Sequence, residues 1–298
     1  MAEIAKITKN GKLSSEEEWK QHISELRAKS AETEEGKAKI IEELARQIDE
    51  AFAKRMPNEK FGIMFSGGVD SSLIAFLAKR HKCNFICYSV GTEGSLDIAE
   101  SINAAKILGI NHKYKIYSID EAETVIKKAV KIVGEPNVVN VGVAAVEIAA
   151  AQIAKEDGIA IFYGGIGSEE IFAGYQRHEL ANDANEECWR GLMNMQGRDF
   201  VRDAKVAQDM KITFLTPFMD SDLIAKAMSI PGKYKIAGEK KKMILRETAL
   251  KMGLAESIAF RKKIAAQYGS GFDKAIEKLA RKAGYKFKKD YLASLIHY

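Results

Sequence analysis

The stretch Phe61-Gly62-Ile63-Met64-Phe65-Ser66-Gly67-Gly68-Val69-Asp70-Ser71-Ser72 decides how the rest of the chain is read. Residues 61–65 form a short apolar run of the kind that makes a buried strand, and 70–81 read as a helix. The glycine pair therefore falls on a strand-to-helix turn. Gly67 and Gly68 let the backbone turn tightly and approach a ligand with no Cβ in the way. Their N–H groups, with those opening the helix, form a nest for a polyanion. Ser66, Ser71 and Ser72 add hydroxyl donors. Asp70 would repel a phosphate, but it fits if Mg²⁺ lies between them, because a hard cation takes oxygen from both. The sequence has no Gly-x-x-x-x-Gly-Lys-Ser/Thr, so this is not the loop that serves γ-phosphoryl transfer.

Outward from that turn, the pattern alternates. Further strands are expected at 85–90, 112–117 and 159–163. The helices between them are 96–108, capped by Ser95 and stopped by Gly109, one behind the third strand with Asp120 as N-cap and Glu123 three residues on, and alanine-rich 141–156, closed by Gly158. This alternation predicts an α/β fold, a doubly wound parallel sheet covered on both faces, with right-handed crossovers limiting its topology. Upstream, 13–55 read as helical. Ser14 or Ser15 can cap, and Ile40, Ile41, Leu44, Ile48, Ala51 and Phe52 make an apolar stripe that Met56-Pro57-Asn58 ends. The expected division is an N-terminal helical arm, 1–57, and a main domain, 58–298. After Gly174 the strand pattern stops, and helices are expected near 219–229, 239–252 and 272–284, with no internal repeat.

Composition sets the remaining bounds. The 298 residues are 46% hydrophobic and 29% charged, values of a globular protein with a sizeable core. The apolar stretch 138–154 is broken by Asn140, Glu147 and Gln152, so no membrane span is expected. The N-terminus has no signal pattern, and the expected location is cytoplasmic. Three cysteines cannot build a disulfide framework, and Cys83 and Cys87, four apart, are expected on one face of a strand as core thiols. Neither Cys-x-x-Cys nor close histidine spacing supports a zinc or iron–sulfur site. The net charge of +5 gathers in the last third, at Lys240-Lys241-Lys242, Arg261-Lys262-Lys263 and around Lys286–Lys289. Such charge suits a solvated surface, ATP polyphosphate or RNA, and a homo-oligomer stays open.

Ligands of a doubly wound sheet gather beyond the carboxyl ends of its strands, which adds the loops 91–95 and 164–170. The latter begins Gly164-Gly165-Ile166-Gly167-Ser168-Glu169-Glu170-Ile171-Phe172-Ala173-Gly174-Tyr175, with glycines for close approach and two carboxylates in a first helical turn. Pro217-Phe218-Met219-Asp220, Lys242-x-x-Leu245-Arg246-Glu247 and Arg261-Lys262-Lys263 follow. The 66–72 loop resembles that of the ATP-pyrophosphatase group. The whole series, in one order over roughly 38–272, resembles the asparagine synthetase family, whose later stretches read Ser-Gly-Glu-Gly-Ser-Asp-Glu-x-Phe-x-Gly-Tyr and Pro-Phe-Leu-Asp.

That resemblance implies an ATP-pyrophosphatase (adenine nucleotide alpha hydrolase-like) fold and an ATP-dependent carbon–nitrogen ligase. The enzyme would activate a small-molecule carboxylate as an acyl-adenylate, release pyrophosphate, and let ammonia or an amine displace AMP. It implies ATP at Ser66, Gly67, Gly68, Asp70, Ser71 and Ser72, at Val90 and Gly91 beside the nucleoside, and at Gly164 and Gly165. Met64 and Phe65 would line the adenine side. It implies Mg²⁺ on Asp70 and Glu169, the latter replacing the family's aspartate, and Lys263 as the cation steadying charge at the α-phosphate.

The resemblance also has gaps. Ile166 stands where the family has glutamate between its glycines. Gly142-Val143-Ala144-Ala145 replaces Arg-Ala-Ser/Thr-Pro, and Thr213-Phe214-Leu215 replaces Glu-x-Arg. Nucleotide-handling residues match and acceptor-handling residues do not, so aspartate is expected to be a poor substrate. Met1 is followed by Ala2 rather than by a glutaminase cysteine, so nitrogen is expected as free ammonia or from a separate glutaminase partner. Two other readings remain open: a tRNA-base-adenylating enzyme of the same loop type, and a nucleotide-binding regulator without catalysis.

Overall fold

The computed structural model describes residues 8–9, 12–261 and 265–296. In chain order, β1 (Thr8–Lys9) and β2 (Lys12–Leu13) pair antiparallel before α1 (Glu16–Lys29) and α2 (Lys37–Ala53). Then come β3 (Phe61–Met64), α3 (Val69–Arg80), β4 (Phe85–Thr92), α4 (Leu96–Leu108), β5 (His112–Tyr117), α5 (Ile119–Val133), α6 (Val138–Lys155) and β6 (Ile161–Tyr163). Short helices α7 (Ser168–Ile171), α8 (Gln176–Leu180) and α9 (Ala184–Met193) lead through a π-helical turn, Gln196–Phe200, to α10 (Val201–Met210) and β7 (Thr213–Leu215). The chain closes with α11 (Ser221–Ser229), α12 (Gly232–Lys235), α13 (Met243–Met252), α14 (Glu256–Ala259), α15 (Ala266–Gly269), α16 (Phe272–Lys282) and α17 (Lys288–Ser294).

The main sheet is parallel, in the order β5-β4-β3-β6-β7. Its register runs from Phe61 opposite Phe85 to Met64 opposite Tyr88, and from Cys87 opposite His112 to Thr92 opposite Tyr117. The order reverses at β3, so the turn quoted above leaves the sheet at a topological switch point. The expected α/β fold is the observed one.

The chain divides into two compact units. One, called here the sheet unit, comprises Glu59–Phe162, Val201–Phe214 and Lys262–Tyr298. Its core joins Ile86, Tyr88 and Val90 of β4 to Ala144 and Ile148 of α6, Val130 of α5 and Ile276 of α16. Helix α6 is long and apolar enough to cross a membrane by length and composition, but most of it lies in this core. Its alanines bring its backbone close to the sheet. The other, the arm unit, comprises Met1–Asn58, Tyr163–Phe200 and Leu215–Arg261. The stripe predicted on α2 is its buried face: Ile40, Leu44, Ile48, Ala51 and Phe52. Phe52 stacks on Tyr163, whose hydroxyl donates to the Phe52 carbonyl at 3.2 Å. Trp19 of α1 is anchored in the same way, by Nε1–H to the Leu192 carbonyl at 2.7 Å.

Local expectations fail in four places. The segment 13–55 is two helices, because Ser30 ends α1 and Gly36 opens α2. Helix α5 is capped by Ser118 in a full capping box with Glu121, two residues before the expected Asp120. A strand follows Gly174 after all. β7 is only three residues long, too short for periodicity, and is made a strand by its bonds from Thr213 N–H to the Ala160 carbonyl, 2.8 Å, and from Gly164 N–H to the Leu215 carbonyl, 3.0 Å. Cys87 is a buried core thiol, whereas Cys83 is half-buried and precedes β4.

Candidate functional site

In the sheet unit, helix α3 begins without a side-chain cap: its N-cap is Gly68. The neighbouring α4, α5 and α6 are capped by Ser95, Ser118 and Asn137. A four-residue fringe of unused N–H groups opens any helix. On α3 it faces the glycine turn, with Asp70 in the first turn. Gly67 has φ +70°, and a Cβ there would lie 2.8 Å from the Glu100 carbonyl oxygen, so both conformation and contact require glycine.

The loop's own bonds are long. Ser71 Oγ lies 3.4 Å from Ser66 Oγ, donates to the Gly68 carbonyl at 3.3 Å, and accepts from Ser66 N–H at 3.3 Å. Gly68 N–H reaches Ser66 Oγ at 3.3 Å. Bonds at this length are weak, and a phosphate oxygen can replace them. Ser72 is fully buried, and its hydroxyl has no hydrogen-bond partner among the described residues. No cluster of three or more metal-ligating side chains occurs among the described residues. Magnesium is commonly held by one or two carboxylates together with substrate phosphates, and Asp70 beside an uncapped helix start offers that donor set.

Beside the loop, Ser89 of β4 donates to the Phe65 carbonyl and meets His112 Nε2 at 2.8 Å. Burial lowers the His112 pKa to about 4, so the imidazole is neutral. At the end of β4 the chain around Gly91 is clasped by a segment that the sequence pattern did not single out, Gly269-Ser270-Gly271. Thr92 N–H donates to the Ser270 carbonyl at 2.8 Å, and Ser95 Oγ donates to the Gly269 carbonyl at 2.9 Å. A Cβ on Gly91 would fall 2.9 Å from the Ser270 oxygen, so this approach needs a glycine. The pair of glycines flanking Ser270, ahead of α16, was the available signal.

The second expected loop belongs to the arm unit and is built differently. Glu169 opens α7 and is ion-paired with Lys242, whose ammonium also donates to Ser168 Oγ at 2.9 Å. Lys242 is 1% exposed and held at φ +57°. Gly174 packs against both side chains, leaving no space for a Cβ. Glu170 is buried and meets Arg198 at 2.6 Å; burial, with Asp199 nearby, pushes its carboxyl pKa up. The Gly164 N–H belongs to the sheet, donating to Leu215. Sequence reasoning quoted Lys242 only as part of a motif; its partnership with Glu169 spans too many residues to read from spacing. Arg246 of the same motif is structural, donating to the Ala259 and Arg261 carbonyls at 2.6 and 2.9 Å. Asp220 caps α11 and pairs with Arg55 at 3.1 Å. Lys263 lies outside the described residues.

The sequence matches the family model for asparagine synthase over residues 43–189 and 179–289. It is 33% identical over 287 residues to a Methanocaldococcus jannaschii protein assigned as a glutamine-hydrolysing asparagine synthetase, covering 83% of this chain and 53% of that one. Asparagine synthetase B of Escherichia coli is 25% identical over 250 residues, covering 77% and 45%. The chain thus spans about half the length of these curated relatives. Among solved structures, an ammonia-dependent NAD synthetase from Campylobacter jejuni aligns over 88% of this chain and 94% of its own, at 17% identity and a TM-score of 0.39.

Proposed function

Because the chain belongs to the asparagine synthase family, we propose that it is an ATP-dependent carbon–nitrogen ligase that activates a carboxylate by adenylation. The observation carrying this is the uncapped, glycine-opened start of α3 at the sheet's switch point, with Asp70 in its first turn. An acceptor carboxylate oxygen attacks the α-phosphorus, the bond to the bridging oxygen breaks, and pyrophosphate leaves. Ammonia or an amine then attacks the acyl carbon and AMP departs. The 66–72 backbone and hydroxyls hold the phosphates, and the neutral wall of Val90 and Gly91 flanks the nucleoside. Bound magnesium supplies charge neutralisation for the leaving pyrophosphate. Asp70 is its proposed ligand; for Glu169 as a second ligand, and for Lys263 at the α-phosphate, the proposal rests on the sequence motifs. Nitrogen arrives as ammonia or an amine, in the cytoplasm.

The test is ATP–pyrophosphate exchange across a panel of carboxylic acids, with the spent nucleotide separated by chromatography. The expected products are AMP and pyrophosphate, with exchange that depends on one class of acid. ADP as the main product would overturn the reading.

A further inference from the structure

Strand β5 forms one edge of the main sheet, and its outer side pairs with no strand among the described residues. The register with β4, and the bond from Cys87 N–H to the Asn111 carbonyl at 2.9 Å, set which backbone groups face outward. Asn111, Lys113, Lys115 and Tyr117 turn theirs to β4, while His112, Tyr114 and Ile116 turn theirs away from the sheet. These last three also share one face of the strand, and Tyr114 and Ile116 are 50% and 51% exposed. The other face carries Lys113, Lys115 and Tyr117, whose hydroxyl donates to the Ala149 carbonyl of α6 at 3.2 Å.

Exposed apolar groups concentrate in this part of the sheet unit. Leu96, Ile102 and Ile107 of α4, with Tyr114, Ile116 and Ile119, are six of the twelve large hydrophobic side chains exposed among the described residues. Such clustering marks a contact surface rather than scattered exposure. Along β5 runs a groove of about 510 Å³, walled by 112–115 and Tyr117 and by Gln152, Ile153 and Glu156. Lysines ordinarily blunt a sheet edge. Here each is held by a carboxylate of its own, Lys113 by Asp157 at 2.5 Å and Lys115 by Glu121 at 3.0 Å. Glu156, in the groove, has no cationic partner among the described residues. Two lysines therefore stand among three carboxylates, on a chain whose net charge is +5.

The outward groups are arranged symmetrically about Tyr114. A strand that satisfies all of them needs the same alternation in reverse order, and β5 itself provides it. In an antiparallel pair about a two-fold axis at Tyr114, that residue meets the second copy's Tyr114, and His112 meets the second copy's Ile116. The second copy's lysines then lie along the groove that holds Glu156. Hydrogen bonding, apolar surface and charge are all self-complementary, as an isologous contact requires.

We propose that the β5 edge is the docking surface for a second copy of this chain, joining the two sheets into one continuous sheet. The proposal stands apart from the adenylating reading.

Sedimentation velocity of the full chain, 33.0 kDa, should show a species of twice that mass at about 100 µM, above the micromolar range of a weak specific complex. Tyr114→Pro removes only an outward N–H, at an edge position that accepts proline. It should halve the mass and leave the far-ultraviolet circular dichroism unchanged. Ile116→Lys keeps every backbone group and should weaken the dimer at least about tenfold. Tyr114→Cys should cross-link in air, because opposed residues of such a pair lie about 5.5 Å apart. Ile116→Cys should not, since its equivalent lies four residues along the other strand, about 13 Å away. A wild type that stays monomeric overturns the proposal. So does a dimer that survives both Tyr114→Pro and Ile116→Lys, or one that cross-links through position 116 and not through 114.

Discussion

The two glycine-rich loops, 66–72 in the sheet unit and 164–174 in the arm unit, look alike as sequence and are opposite as structures. Both open a helix at a glycine with no side-chain cap, but the first is loosely tied by long serine bonds. The second is closed on itself: Glu169 is matched by Lys242, and Glu170 by Arg198. A helix start with no side-chain cap beside a half-buried carboxylate suits an outside polyanion. Buried carboxylates already neutralised from within their own unit hold the backbone in place, and removing either partner leaves an uncompensated charge. Similar glycine spacing therefore says that the backbone comes close to something, but not whether that something is a ligand or the protein itself.

The largest effect should come from the closed loop. Lys242→Met leaves Glu169 buried without its cation and should cost about 3 kcal/mol of stability, measured by urea unfolding. A loss below about 0.5 kcal/mol would make the pair a surface-like contact and erase the contrast. In the open loop the expectation reverses. Asp70→Asn should slow turnover at least about a hundredfold, the scale of lost metal-assisted stabilisation, and raise the magnesium requirement. Unfolding should barely change, since no packing is removed. Normal activity at ordinary magnesium would remove Asp70 from the site.

A smaller effect separates the units by pH. His112 in the sheet unit and His178 in the arm unit are both depressed, mainly by burial, to about 4 and about 3. Each folded pKa lies below the unfolded value of about 6.5, so the unfolded chain binds protons first as pH falls. Stability should thus be full above about 6.5 and decline through the window down to about 4 for His112. Allowing for solvent screening of this half-buried ring, the loss is about 2 kcal/mol. His112→Gln should flatten that part of the curve while the His178 part persists; an unchanged slope in urea titrations at pH 7 and 4.5 would count against a neutral His112. The smallest effect tests the corrected cap: Ser118→Ala should cost about 1 kcal/mol, and Asp120→Ala only a few tenths.

How much of this was legible beforehand follows from the range of each interaction. The α2 stripe, the order of strands and helices between 61 and 163, and the turn at 66–68 are set by neighbours within a few residues, and they were read correctly. The break at 30–36 and the Ser118 cap were misread because several serines and acids within one turn can each serve as a cap, and packing chooses among them. β7 was missed because three residues carry no period and only its neighbours in the sheet define it.

The sequence by itself determined the family and the α/β class, because these rest on local spacing and residue type. Only the tertiary structure decided that Lys242 neutralises Glu169 across more than seventy residues, that the chain at 269–271 clasps the end of β4, and that Gln267 fills the volume beside Gly142. Those contacts join residues far apart in the chain. They are selected by shape and by the high cost of an unpaired buried charge, and neither leaves a periodic trace in the order of the amino acids.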